Sequence, residues 1–197
     1  WFALASEIKR RNVPGLKVST KVSEEGLAHL AGIDNLHKLD LSVTNLSDED
    51  LKVLRGLKNL RQLNLGGNNL TGCGLAHLSG LDKLWRLNLA GTKVTDADLV
   101  HLKQLKALWH LNISNTEITN KGLKHLEGLK KLRRLNLRGT KIDDRGLRHL
   151  ESMRHLRMLD VRCTAVTDHG VKNLKAKLPH LSKWRVHMRK HHHHHGK

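Results

Sequence analysis

The sequence predicts an α/β fold built from repeated units, each containing one short strand and one short helix. The first observation is a leucine column with a period of 24 residues, and the second is a change of hydrophobic spacing within every unit. Further apolar columns keep the same period, so six complete units follow one another without an insertion. The column that defines the period consists of Leu36, Leu60, Leu84, Leu108, Leu132 and Leu156.

Each unit begins as a strand and continues as a helix. The pattern L-x-x-L-x-L alternates as a strand does, whereas Leu99, Leu102 and Leu105 in "DADLVHLKQL" follow the spacing of a helix face. Between the two lies a turn that ends in Ser or Thr followed by an acid, as in Thr95-Asp96 and Thr167-Asp168. This pair is typical of a helix N-cap.

These units resemble leucine-rich repeats, specifically the bacterial 24-residue type L-x-x-L-x-L-x-x-T-x-V-T-D-x-G-L-x-x-L-x-x-L. The segments "LWRLNLAGTKVTDADLVHLKQL" and "LRRLNLRGTKIDDRGLRHLESM" nearly reproduce that pattern. The ninth position of each unit is polar, which suits a side chain that satisfies backbone groups inside a turn. It is occupied by Thr44, Asn68, Thr92, Thr116, Thr140 and Thr164. The resemblance implies a curved solenoid with parallel strands on the concave face and short helices on the convex face, and it implies no particular activity.

The chain is expected to divide into three parts. Residues 1–15, which contain "WFALASEIKRR", form a helical cap in this interpretation. Residues 16–188 form the solenoid of about seven repeats, closed by a terminal strand with Trp184 at a core position. Residues 189–197 are a basic, histidine-rich tail that is either native or a purification tag.

The positive charge is concentrated in one half of the chain. The formal net charge is +18, but residues 1–98 carry 13 Lys and Arg against 11 Asp and Glu, whereas residues 99–197 carry 23 against 7. Such asymmetry predicts an anionic partner: an acidic protein surface, a nucleic acid or an anionic membrane surface. No apolar run approaches the roughly 18 residues that a membrane-spanning helix needs.

The predicted binding site lies on outward-facing strand positions. Because side chains alternate along a strand, the residues between the inward leucines face the concave surface. There two tryptophans are expected to stack between arginines. The candidate partner-binding residues are Arg61, Trp85, Arg86, Trp109, His110, Arg133, Arg134, Arg138, Arg157 and Arg162.

Two interpretations of this cluster stay open. In the first, the Trp and Arg columns only cover the solenoid rim, and the central asparagines pair laterally with one another. In the second, Trp and Arg form a binding hot spot, since each offers a large area or several donors for little lost entropy.

Metal and thiol chemistry receive little support. A histidine column lies beside the core leucines of successive helices, and these residues are predicted to pack helices rather than bind metal. It consists of His29, His77, His101, His125 and His149. The tail residues His191, His192, His193, His194 and His195 are weak metal candidates. Cys73 and Cys163 lie too far apart to pair. Free thiols weakly favour an intracellular compartment, and a chain that begins at Trp1 allows for a missing presequence.

The sequence therefore predicts a non-catalytic interaction scaffold without a cofactor, such as a subunit or adaptor of a larger complex. Its acidic clusters lie at helix N-termini, where the helix dipole already accounts for them. The expected partner is a protein with an acidic surface, bound on the concave face. An RNA-binding component of a ribonucleoprotein is the alternative, and membrane-surface binding is the second alternative.

Overall fold

A single parallel sheet of eight strands runs through the protein. The computed structural model describes residues 15–18, 24–31 and 33–187, so the predicted N-terminal helical cap and the histidine-rich tail lie outside the described residues. Every strand pairs with the strands of the preceding and following repeats, in the order β1 to β8. The strands are β1 Gly15–Lys17, β2 Lys38–Asp40, β3 Gln62–Asn64, β4 Arg86–Asn88, β5 His110–Asn112, β6 Arg134–Asn136, β7 Met158–Asp160 and β8 Lys183–Arg185.

The sheet register follows the sequence period. Leu39 pairs with Leu63, and Leu63 pairs with Leu87, so equivalent residues of neighbouring repeats lie side by side. The last pair is Leu159 with Trp184, which packs partly buried against the core. A strand thus lies at the displaced position where the sequence predicts the terminal strand, with Trp184 at the edge of the core, and the architecture is an α/β solenoid with a parallel sheet.

The helical segments are mostly 3-10 rather than α-helical, which the sequence analysis did not anticipate. A 3-10 helix has three residues per turn, so Leu99, Leu102 and Leu105 fall on one side of it. In the last repeat the final step is four residues, from Leu174 to Leu178, and that segment is an α-helix. The 3-10 helices are Glu49–Gly56, Cys73–Leu78, Asp96–Gln104, Lys124–Leu126 and Asp144–Leu150, and the α-helices are Glu24–Ala28, Asn120–Leu123 and Asp168–Lys175.

The core is an almost unbroken column of leucine between the strands and the helices. Within each repeat the strand leucines, the turn residue and the helix leucines are all nearly inaccessible to solvent, as Leu87, Val94 and Leu99 illustrate with 0% exposure. Each repeat buries apolar area against its two neighbours, so the stack is stabilised mainly by contacts between adjacent repeats. In the described part of the chain, no helix has the length and apolar character to cross a bilayer.

The polar ninth position of each unit closes the turn after the strand, as predicted. The hydroxyl of Thr92 donates to the carbonyl of Leu89 at 2.7 Å, and equivalent bonds are made by Thr44, Thr116, Thr140 and Thr164. Asn68 does more, because its Oδ1 accepts from the backbone N–H groups of Thr44 and Leu46 while its Nδ2 donates to three carbonyls, one of them at 3.4 Å. The column thereby satisfies buried backbone groups that an apolar residue would leave unpaired.

The acids at the helix N-termini join successive repeats. Asp144 accepts from the backbone N–H of Thr167 at 2.8 Å and from its hydroxyl at 2.6 Å, and Asp48 receives equivalent bonds from Thr71. At Thr95 this bond is missing, since the preceding repeat has Gly72 at the acidic position. Asp98 replaces it from within the same repeat and accepts from Thr95 N–H at 2.8 Å. Its carboxylate occupies the space that a Cβ at Gly72 would take.

Candidate binding surface on the concave face

The predicted site residues fall on three positions of successive strands. Arg86, His110 and Arg134 are paired neighbours at the first residue of β4, β5 and β6. Arg138 and Arg162 lie two residues after β6 and β7. The remaining members stand immediately before β3 to β7, and they are Arg61, Trp85, Trp109, Arg133 and Arg157. The sheet register therefore brings the predicted residues together on one surface.

The two tryptophans do not stack, which corrects the sequence-based expectation. Their ring centroids are 5.5 Å apart with an interplanar angle of 84°, an edge-to-face contact. The Arg133 guanidinium carbon lies 5.2 Å from the centroid of the Trp109 ring, a cation–π contact. Trp109 is 37% exposed and Trp85 is half-buried. The result is a continuous row of Trp85, Trp109 and Arg133 across three strands.

His110 carries no charge at neutral pH. Burial, together with the neighbouring positive charges of Arg86 and Arg134, lowers the pKa of the imidazole to about 4. A histidine in this position can donate and accept hydrogen bonds as a neutral ring. The positive potential of the surface therefore comes from the arginines alone.

One of the predicted arginines is already engaged within the protein. Arg162 forms a two-pronged contact with Asp160, with Nε to Oδ1 at 3.0 Å and Nη2 to Oδ2 at 2.7 Å. Burial raises the pKa of Asp160, but the hydrogen bonds and the charge of Arg162 outweigh burial and leave that pKa below its ordinary value. The charge of Arg162 is thus neutralised by its own repeat.

The other arginines of the predicted site have no acidic partner in the part of the chain that the structure describes. Among the described residues, Arg61, Arg86, Arg133, Arg138 and Arg157 form no ion pair. Arg134 makes a weak contact with the sulfur of Met158 at 3.4 Å. Unpaired guanidinium groups gathered on one face create a positive potential that attracts anionic groups.

The central asparagines do not pair laterally, which corrects the second sequence-based expectation. The Oδ1 of Asn112 accepts from the backbone N–H of Ser114 at 3.0 Å, two residues further along the same chain segment. Asn64, Asn88 and Asn136 make the same bond at 2.8 to 3.0 Å. Asp40 and Asp160 do so as well at the two ends of the column. The sequence signal for this Asx-type turn is an Asn or Asp that directly follows the second leucine of L-x-x-L-x-L in each of the six complete repeats.

The convex histidines make contacts between neighbouring repeats. His77 Nδ1 accepts from Arg55 Nε at 2.6 Å, and burial together with the charge of Arg55 lowers the pKa of His77. His149 Nδ1 lies 2.6 Å from Glu127 Oε2, and the Nδ1 of His125 is buried without a hydrogen-bond partner. No group of His, Cys, Asp and Glu residues in the described ranges has metal-binding geometry. Cys73 and Cys163 are free and exposed.

Comparison with known protein families decides the family. One leucine-rich repeat model matches residues 34–94, and a second matches residues 108–126, 128–150 and 152–175. The chain belongs to the leucine-rich repeat family. Leucine-rich repeat domains are in general scaffolds that bind other proteins and typically have no catalytic activity. A search of curated protein sequences gives no significant match.

Solved structures with the same fold include internalins of Listeria monocytogenes. Internalin C2 is similar with a TM-score of 0.67 and 21% sequence identity, over 93% of this chain and 92% of internalin C2. Internalin F is similar with a TM-score of 0.61 and 18% identity, over 83% of this chain and 52% of internalin F. At this level of identity the likeness concerns the leucine-rich repeat fold alone.

Proposed function

We propose that this leucine-rich repeat protein is a non-catalytic scaffold, a subunit or adaptor of a larger complex, that binds an acidic protein partner on its concave face. The observation that carries the proposal is the row of Trp85, Trp109 and Arg133 next to arginines that have no carboxylate partner in the described part of the chain. The family's general role as a binding scaffold supports it.

The tryptophan and arginine row has the properties of an interaction hot spot. The edge-to-face contact fixes both rings before a partner arrives, and the cation–π contact holds Arg133 against Trp109. Pre-ordered side chains lose little entropy on binding, so the apolar area of Trp109 and the donors of Arg133 are available at low cost. Carboxylates of a partner would also relieve the repulsion between neighbouring arginines.

RNA binding is the second candidate, because unpaired arginines suit phosphates as well as carboxylates. Bases stack best on aromatic faces that are open to solvent. Here the guanidinium of Arg133 lies over the ring of Trp109, and Trp85 and Trp109 contact each other edge to face. The arrangement therefore favours a protein partner over stacked bases.

Affinity purification with matched variants tests the proposal. The intact chain and a Trp85→Ala/Trp109→Ala variant are used to capture proteins from an extract of the source cells, with and without ribonuclease. The control is Val43→Ala/Val100→Ala, which removes two exposed apolar side chains away from the concave row. We expect the amount of captured acidic partner to fall at least about tenfold with the tryptophan variant, since hot-spot residues dominate the binding energy. With the control variant it should fall less than about twofold.

Equal capture by the intact chain and the tryptophan variant would contradict the proposed site. Capture that disappears after ribonuclease treatment would favour the RNA candidate. Capture that survives ribonuclease and weakens with salt agrees with an acidic protein partner.

A further inference from the structure

The asparagine column on the concave floor, hereafter the asparagine rail, consists of Asn64, Asn88, Asn112 and Asn136. In each member the amide oxygen is bound to a backbone N–H group. That backbone group can only donate, so it fixes the orientation of the amide and directs Nδ2 away from the turn. In the described part of the protein, none of the four Nδ2 groups donates to an acceptor. The rail is a row of unused donors.

The surroundings of the rail also lack anionic acceptors. Gly66, Ala90 and Ser114 lie beside its first three members and are too small to cover them, whereas Arg138 lies beside Asn136 and adds a further positive charge. Arg86 and Arg134 flank its other side, two residues before Asn88 and Asn136 in the same strands. The carboxylates of this column occur only at its two ends, where Asp40 binds Ser42 and Asp160 binds Arg162. From β3 to β6 the concave floor therefore presents donors without a carboxylate.

We propose that the asparagine rail, together with Arg86 and Arg134, binds an acidic peptide segment that lies across the strands. This inference rests on the proposed function and names the chemistry of the partner at the same face. Strands are ~4.8 Å apart, so four rungs cover roughly 14 Å, which matches four to five residues of an extended peptide at ~3.3 Å per residue. Main-chain carbonyls accept from the asparagine amides, and carboxylates pair with the two guanidinium groups.

The neutral amides distinguish a peptide from a simple polyanion. Phosphate oxygens of a polyanion can also accept from asparagine amides, but charge supplies most of that binding. A peptide has a carbonyl at every residue, and each carbonyl that is buried on binding requires a donor. A row of uncharged donors between arginines offers partners both to the main-chain carbonyls and to the carboxylates of an acidic peptide.

Asp40 and Asp160 show how to test the rail without unfolding the protein. Both occupy the same column and accept the same backbone hydrogen bond, from Ser42 at 2.9 Å and from Arg162 at 3.1 Å. The change Asn88→Asp/Asn112→Asp therefore keeps the turn and replaces two donors by acceptors. The matched control is Gln104→Glu/Asn173→Asp, which makes the same two amide-to-carboxylate changes at exposed helix residues.

The probe is a fluorescein-labelled twelve-residue glutamate-rich peptide, measured by fluorescence anisotropy with the full chain in ~50 mM salt. We expect Asn88→Asp/Asn112→Asp to weaken the affinity at least about tenfold and the control, which has the same net charge, to weaken it less than about twofold. In a second measurement, the side-chain amide NMR signals of Asn88 and Asn112 should shift when the peptide is added. Equal weakening in both variants, or unchanged amide signals, would overturn the inference.

The outcomes also separate this inference from the proposed function. If the natural partner depends on Trp85 and Trp109 but tolerates Asn88→Asp/Asn112→Asp, the rail is refuted and the concave-face scaffold stands. If the peptide does not bind the intact chain while the partner still requires the tryptophans, the acidic-peptide occupant is refuted. If a twelve-nucleotide oligouridine binds and discriminates between the two variants whereas the peptide does not, the occupant is RNA and the inference is wrong.

Discussion

Asparagine has one role inside the solenoid and a different one on its concave floor. Asn68, in the turn, uses both ends of its amide to bind five backbone groups, and Asn120, on the convex side, exchanges two hydrogen bonds with Asp143. Asn112, on the concave floor, uses only its oxygen. In two regions both ends of the asparagine amide are hydrogen-bonded, whereas on the floor only the oxygen is. The floor is therefore the region whose amide N–H groups are available to a partner.

Charged residues show a weaker contrast. On the convex side, Asp143 pairs with Arg145 at 2.9 Å and Glu151 pairs with Lys177 at 3.1 Å, although other helix cations such as Arg148 and Lys172 form no ion pair among the described residues. On the concave side, arginines such as Arg133 and Arg157 have no ion pair among the described residues. Exposed ion pairs add little to the free energy of unfolding. Their pairing therefore matters mainly because it determines where uncompensated positive charge remains.

The largest effect is expected from Asn68→Ala. It leaves the backbone N–H groups of Thr44 and Leu46 without their acceptor and the carbonyl of Leu65 without its donor, so we expect a loss of about 3 kcal/mol in the free energy of unfolding, measured by urea denaturation. Asn68→Thr is the control, because the hydroxyl can bind Leu65 as Thr92 binds Leu89 and should recover part of the loss. A loss below about 1 kcal/mol for Asn68→Ala would contradict the structural role.

A smaller, pH-dependent effect is expected from Asp48→Asn. Burial raises the pKa of Asp48, but hydrogen bonds from Thr71, Gly74 and Gly72 outweigh it and lower that pKa below the ordinary 3.8. Its contribution to stability is therefore complete above about pH 4 and disappears as the pH falls through the lowered pKa of the folded state.

We expect Asp48→Asn to cost about 1 kcal/mol at pH 6, because the amide keeps one acceptor but loses the charged oxygens that bind Thr71, Gly72 and Gly74, and much less at pH 3. Urea denaturation at the two pH values measures both. Asp82→Asn removes an equal charge from an exposed residue and should change stability by less than about 0.5 kcal/mol at either pH. A cost for Asp48→Asn that is the same at pH 6 and pH 3 would argue against this role of the carboxylate.

The smallest effect on stability is expected from Asn112→Ala. The substitution removes the acceptor of the Ser114 backbone N–H and hydroxyl, but the turn is only partly buried and the shorter side chain lets water take the place of the lost acceptor. We expect a loss of about 0.5 kcal/mol in the free energy of unfolding, measured under the same conditions as for Asn68→Ala. If Asn112→Ala were as destabilising as Asn68→Ala, the distinction between an asparagine bonded through both ends of its amide and one bonded only through its oxygen would fail.

Much of the fold could be predicted because each repeat contacts only its neighbours. The register of the sheet follows the period of 24 residues, and even Trp184 falls where the displaced pattern places it. The 3-10 helices were not predicted, although the leucine spacing of three contained the signal. The leucine spacing does not decide the helix type by itself, because the short segment Asn120–Leu123 is α-helical although Leu123, Leu126 and Leu129 keep the spacing of three.

The candidate site was predictable as a set of positions but not as a set of contacts. Column analysis predicts that Trp85, Trp109 and the arginines share one face, and the register puts equivalent positions of neighbouring repeats side by side. It does not give the angle between the two rings, the pairing of Arg162 with Asp160 or the neutral state of His110. Those depend on rotamers, distances and burial, which one-dimensional periodicity does not contain.

The sequence by itself determined the repeat length, the inward and outward residues and the concentration of positive charge in the second half of the chain. These properties follow from the spacing of apolar residues and from composition. Only the tertiary structure decided which polar groups are already satisfied, because a hydrogen bond requires two groups within about 3 Å and that proximity is set by the packing of neighbouring repeats. The free amides of the asparagine rail become visible once all the other bonds are in place.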